Sequence, residues 1–106
     1  MNKTTHNKVA ILLPLIFRKP FDYKIPEGIN VNKGDYVKVP FGGKSLWGVA
    51  WSEAEGEVEE AKIKEIFAVA EDIPAMKNSM MKLIDWVSWY TLSPLGMVLK
   101  MAMPIS

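Results

Sequence analysis

Turn-forming residues interrupt the chain so often before about residue 70 that no long helix fits there. Pro14, Pro20, Pro26-Glu27-Gly28, Asn32-Lys33-Gly34-Asp35, Pro40 and Gly42-Gly43 separate short apolar segments. Val9-Ala10-Ile11-Leu12-Leu13 is a continuous apolar run, as expected of a strand buried on both faces or covered at a barrel seam. Phe21 to Ile25 alternates into a second short strand. Tyr36 to Phe41 has the period of two of a half-buried strand, with Tyr36 and Lys38 on one face and Val37 and Val39 on the other. Gly42-Gly43-Lys44 is a tight connection to a returning strand, Leu46 to Trp51, in which Gly48 marks a bulge or a close backbone approach. Lys62 to Val69 alternates enough to be one more strand.

After this the period changes. Met76, Met80, Leu83, Ile84 and Val87 recur at spacings of three and four, a helical stripe, with Asp72 or Asn78-Ser79 as its cap and Pro74 in its first turn. Ser93-Pro94 reads as a cap followed by proline at the first helical position. Leu95, Val98, Leu99 and Ala102 form the stripe of a second short helix that ends before Pro104. The expected fold is therefore α+β: a small OB-like curled β-sheet or barrel of about five strands followed by two C-terminal helices. Residues 1–8 read as a disordered tail. Residues 9–106 read as one domain, with the β part over about 9–70 and the helices over about 75–103.

Composition removes several function classes. The 106 residues include no cysteine, which excludes disulfides and thiolate metal sites, and one histidine, His6, in the polar N-terminal stretch. No apolar run reaches the roughly 18 residues of a membrane span, and Val9 to Phe17 is short, broken by Pro14 and without a cleavage signal. The expected location is the cytoplasm, with no membrane partner. Gly42-Gly43-Lys44-Ser45 has the last letters of a phosphate-cradling loop, but it lacks the first glycine and leads into a strand, so it reads as a hairpin. Nothing brings two of Asp22, Asp35 and Asp85 together as a catalytic pair, and catalysis by this chain alone is not expected.

A binding function fits better. Residues 1–52 carry eight Lys/Arg against three acids, and residues 53–61 carry five glutamates and no base. The basic half is a limited phosphate-binding surface or a solvated one, and the glutamates read as a surface connector. Phe21, Tyr23, Phe41, Trp47 and Trp51 serve either as core or as stacking platforms for bases beside lysines, with core the expectation for any one of them. Asp22, between two aromatics and after a proline, is set for a rim. It either bonds its own backbone or accepts hydrogen bonds from a base edge or a sugar hydroxyl.

Several of these pieces occur together in a known order. The apolar strand ending near Pro14 is followed by Phe21-Asp22-Tyr23-x-x-Pro26-x-Gly28, then Gly34-x-x-Val37-x-Val39-Pro40-Phe41-Gly42, then Gly48-Val49. A Lys64-containing strand, a Trp/Tyr-bearing helix and Leu95-Gly96-x-Val98-Leu99, closing at Met103-Pro104, complete it. From about Val9 to Ile105 the chain resembles the N-terminal DNA-binding domain of primosomal protein N′, the PriA replication-restart helicase family. The resemblance implies capture of the 3′-terminal nucleotide of the nascent leading strand at a stalled fork. Phe21 and Asp22 would line the pocket, with Asp22 accepting hydrogen bonds from the terminal nucleotide. Gly42 would leave room for it, and Lys64 would add a polar or charged contact. The implied partners are DNA with a free 3′ end, forked DNA, the rest of the helicase chain and other primosome proteins. ATP, magnesium and zinc belong to helicase lobes and a cysteine-rich region absent from this sequence, so the chain reads as an excised domain with no cofactor of its own. The alternative is a protein-interaction module that uses the barrel or the methionine-bearing helices and does not bind DNA directly.

Overall fold

The turn residues act locally, and the strands follow from them. In the computed structural model, which describes residues 7–56 and 62–104, Gly42 and Gly43 have φ of 58° and 81°. Two successive residues at positive φ make the primed two-residue turn whose twist matches paired strands. They join β3 (Tyr36–Phe41) to β4 (Lys44–Glu53), in register from Phe41↔Lys44 to Tyr36↔Val49. β1 (Lys8–Leu12) and β2 (Phe21–Lys24) pair antiparallel, and β1 also pairs with β4. With β5 (Ala68–Val69) the sheet order is β2-β1-β4-β3-β5. Lys8 belongs to β1; residues 1–6 of the expected tail, with His6, lie outside the described residues, as does 57–61 of the glutamate-rich connector.

β1 is buried on both faces because each face has its own core. Leu12 packs with Tyr36, Val49, Trp51 and the helices. Ile11 and Leu13 point the other way, to Tyr23, Val37, Val39, Ala50 and Ile66. Gly48 is a close-approach position: a Cβ there would lie 2.7 Å from the Leu12 carbonyl oxygen and 2.8 Å from Ile11 Cγ2. The irregularity in β1–β4 pairing lies farther along, where Ala10↔Ser52 steps to Ile11↔Ala50 and leaves Trp51 without a partner.

The expected single strand over Lys62 to Val69 is not formed. That stretch must serve both ends of a curled sheet. Lys24 N–H donates to the Lys64 carbonyl (2.8 Å) and Ile66 N–H to the Lys24 carbonyl (3.0 Å), a parallel bridge to β2. Two residues later Phe67 N–H donates to the Lys38 carbonyl (2.7 Å), and Ala68–Val69 pairs with β3. Ile63 and Ile66, three apart, are the buried residues here, so side-chain alternation does not describe the segment. The sheet is curled, and this bridge draws its ends together without closing a barrel.

α1 (Asn78–Thr91) and α2 (Leu95–Ala102) cover the Leu12 face. The expected stripe on α1 is rotated: Met81 and Ile84 are buried, Met80 and Leu83 are exposed, and buried Met76 precedes the helix. Neither Asp72, Asn78 nor Ser79 caps it. Lys77 holds the N-cap without a side-chain bond, and Pro74 lies before the helix. The start is set instead by backbone contact, because Met76 N–H donates to the Gly34 carbonyl (2.8 Å) and the Met76 carbonyl occupies the place of a Gly34 side chain. Pro94, not Ser93, is the N-cap of α2, whose buried residues are Leu95, Gly96, Val98 and Leu99; Ala102 is exposed. Gly96 lies directly on the Leu13 and Leu15 carbonyls, and its N–H donates to the Phe17 carbonyl (3.1 Å). This contact fixes the path of the chain leading into β2.

Candidate functional site

β2 lies at one end of the strand order, so its outward groups border solvent. Alternation along it turns Tyr23 into the core and Asp22 to the rim. Tyr23 is 4% exposed; its hydroxyl donates to the Pro40 carbonyl at 2.8 Å, and burial pushes its pKa up to about 12. This bond ties β2 to β3 across the curl. Between the two strands opens a cavity of about 230 Å3, lined by Phe21, Asp22, Phe41, Gly42, Lys62 and Lys64 among others. Phe21, Asp22, Gly42 and Lys64, singled out in the sequence, thus surround one space.

Their supports differ. Asp22 does not bond its own backbone. Its Oδ1 accepts the Glu55 N–H and its Oδ2 the Gly56 N–H, both at 2.8 Å. A carboxylate offers about four lone-pair sites, so two remain after this clamp. Gly42 is exposed in the hairpin turn, and a Cβ there would meet no protein atom within 4 Å; positive φ is what favours glycine. Lys64 is exposed, with its backbone pinned to β2 by the Lys24 bond.

Phe21 and Phe41 form an aromatic cluster that sequence reasoning missed, because its third member is Phe17. Ring centroids are 5.1 Å apart for Phe17–Phe21, 5.8 Å for Phe17–Phe41 and 5.4 Å for Phe21–Phe41, in edge-on or tilted geometries. Phe17 follows Pro14 and therefore lies off the β1 ladder, beside Arg18 and Lys19; that placement was the available signal. A second cavity, of about 340 Å3, lies against Phe17, Arg18, Lys19, Phe21, Asp22 and Glu55. Trp51 is buried and Trp47 half-buried on the helix-covered face, so neither lines these cavities.

The Gly42-Gly43-Lys44-Ser45 stretch is the β3–β4 hairpin and leads into a strand. Among the described residues no group of three or more His, Cys, Asp or Glu could hold a metal ion. Among them, too, no helix is long and apolar enough to cross a membrane.

Comparison with known proteins places the chain in a family. A family model described as the 3'DNA-binding domain (3'BD) of PriA matches residues 8–104. The replication restart protein PriA of Rickettsia conorii is 39% identical over 98 residues, covering 90% of this chain and 14% of the relative. That of Rickettsia prowazekii is 40% identical over 96 residues, covering 91% of this chain and 15% of the relative. That of Buchnera aphidicola subsp. Acyrthosiphon pisum is 28% identical over 81 residues, covering 76% and 11%. The chain spans about one-seventh of the length of the Rickettsia relatives.

Proposed function

The chain belongs to the PriA 3'DNA-binding domain family, and from that premise we propose that it binds the 3′-terminal nucleotide of a DNA strand in the cavity between β2 and β3. The observation that carries the reading is the convergence of Phe21, Asp22, Gly42 and Lys64 on one space of about 230 Å3. Small-molecule sites start at about 300 Å3, so this cavity suits one base with part of its sugar, not a run of nucleotides. The Phe21 and Phe41 rings supply apolar surface for the base. The two remaining acceptor sites on Asp22 suit hydroxyl or base N–H donors and repel a phosphate. Lys64 supplies a cation for the phosphate on the 5′ side. Recognition of an end needs few phosphate contacts, so a net charge of +1 is compatible with it. In the whole protein the bound end would be the nascent leading strand at a stalled fork. ATP-dependent unwinding, magnesium and zinc would belong to other domains, and primosome proteins would assemble there.

The test is binding of short single strands ending in a 3′-hydroxyl against the same strands ending in a 3′-phosphate. The expected result is a preference for the hydroxyl of about tenfold or more, the size of one charge-assisted hydrogen bond. Asp22→Asn keeps one acceptor oxygen for the clamp on residues 55 and 56 and turns an NH2 group towards the other N–H; it reduces that preference in protein that stays folded, at a cost of about 1–3 kcal/mol in stability. Equal affinity for both ends sinks the proposal. A second reading, a protein-interaction module, draws on the exposed α1 face formed by Met80, Leu83, Trp86 and Tyr90. Absence of any DNA binding favours it.

A further inference from the structure

The two cavities share a wall. Phe21 and Asp22 line both, with Gly42 and Lys64 on one side and Phe17, Arg18 and Lys19 on the other. A strand whose last nucleotide fills the first cavity must leave it through its 5′ phosphate, and the second cavity lies next to it across that wall. We propose that the second cavity is a subsite for the penultimate nucleotide, with the Phe17 ring as its stacking surface and Arg18 as the partner of the phosphate on that nucleotide's own 5′ side. This rests on the terminal-nucleotide reading above.

Phe17 is positioned by the fold itself. The Phe17 carbonyl accepts the Gly96 N–H of α2 (3.1 Å), which fixes its backbone. Its ring is locked edge-on against Phe21, yet the residue stays 41% exposed. An apolar ring held rigid and left partly in water loses little freedom on binding a base, and stacking of a base on an aromatic ring is worth about 1–3 kcal/mol. The Arg18 guanidinium donates to the Leu92 carbonyl at 3.3 Å, which uses one of its five N–H groups and leaves others for a phosphate. Lys19 lies 4.0 Å from Glu55, an ion pair at the limit of contact and exposed on both sides. Such a pair is worth about 0–1 kcal/mol. Asp22 and Glu55 offset the two cations. The subsite therefore adds length dependence more than bulk electrostatic attraction.

The experiment titrates the protein with a nucleoside 5′-monophosphate, with the 5′-phosphorylated dinucleotide that extends it by one 5′ residue, and with 3′-phosphorylated forms of both, following amide chemical shifts. For the parent chain the dinucleotide is expected to bind about tenfold tighter than the mononucleotide, the equivalent of one stacked base. Phe17→Leu keeps an apolar contact with Phe21 but removes the π-face, and Arg18→Gln removes the charge. Each is expected to erase most of that tenfold gain while mononucleotide affinity and the preference for a 3′-hydroxyl stay unchanged. A dinucleotide gain that survives both substitutions overturns the subsite. So does an equal loss for both ligands, because Phe17 then acts only by packing. A parent chain that shows the length gain but no preference for a 3′-hydroxyl overturns the terminal-nucleotide reading instead.

Discussion

The two faces of the sheet are closed by different means. On the Leu12 face the helices provide the cover: Leu99 and Ile84 are 0% and 2% exposed, and Gly96 brings α2 onto the main chain at Leu13 and Leu15. On the Ile11 face no helix is present among the described residues, and the sheet covers itself by curling, with Ile66 and Tyr23 filling the interior. A sheet whose ends are drawn together by one short bridge, without closing a barrel, leaves its rim unfilled between β2 and β3. The smaller cavity lies in that gap, and the larger one lies on the other side of Phe21 and Asp22, against Phe17, Arg18 and Lys19. The helix-covered face thus holds the core packed by α1 and α2, and the proposed site lies at the rim of the self-covered face. Substitutions on the two faces are expected to separate folding from binding.

The largest effect is expected at Gly96. A side chain there meets the carbonyls of Leu13 and Leu15, main-chain atoms that cannot rotate away. Gly96→Val should remove the cooperative thermal transition, in the range above about 4 kcal/mol that marks exceptional substitutions. A folded Gly96→Val with an unchanged melting temperature would show that α2 does not need this approach. Leu99→Ala follows. Truncating a leucine buried to 0% in a well-packed core costs about 2–5 kcal/mol. Chemical denaturation should show that loss, while the preference for 3′-hydroxyl ends persists below the lowered midpoint. A loss of end preference in still-folded protein would break the separation of the faces.

Tyr23 belongs to the self-covered face and reports on its closure. Tyr23→Phe removes the 2.8 Å bond to Pro40 and should cost about 1 kcal/mol. It also carries a pH signature. Burial raises the folded phenol to about 12, above the ordinary value of 10.0 that holds in the unfolded chain. The protonated form is therefore the one the fold accepts. Its contribution is fully present below pH 10 and is lost as pH rises from 10 through 12. Tyr36 is shifted in the same direction, also by burial, so some slope should remain in the variant. Denaturation midpoints between pH 9 and 12 that fall equally steeply in parent and Tyr23→Phe would remove Tyr23 from that role.

These contrasts also explain what could be read from the sequence. The β3–β4 hairpin was legible because its determinants are adjacent: Gly42-Gly43 supplies the turn and Tyr36 to Phe41 the alternation. The segment 62–69 was not, because its conformation depends on Lys24 and Lys38, far away in the chain. The α1 stripe was ambiguous for a different reason. Met80-Leu83 and Met81-Ile84 have the same spacing, and only packing on Leu12 and Val49 selects the second pair. Phe21, Asp22, Gly42 and Lys64 came from the resemblance, and their common cavity from the curl. The Asp22 clamp on Glu55 and Gly56 spans 33 and 34 residues and ends on backbone N–H groups, which leave no mark on sequence.

The smallest effect is expected on the outer surface of α1. Trp86 and Tyr90 stack at 5.0 Å with an 11° interplanar angle, both more than half exposed. Exposed substitutions of this kind shift stability by about 0.5 kcal/mol, and an aromatic pair adds about 0.5–1.5 kcal/mol at most. Trp86→Ala should therefore leave the melting temperature within a few degrees and the 3′-end preference unchanged, since neither ring lines either cavity beside Phe21 and Asp22. The result matters because of what this surface is. Met80, Leu83, Trp86 and Tyr90 make a second apolar stripe on a helix whose first stripe is already buried, the pattern of a protein-contacting surface. If Trp86→Ala weakens binding to a 3′-hydroxyl end as much as Asp22→Asn does, the division between a stabilising face and a binding face fails. DNA would then reach across the helices as well as the rim.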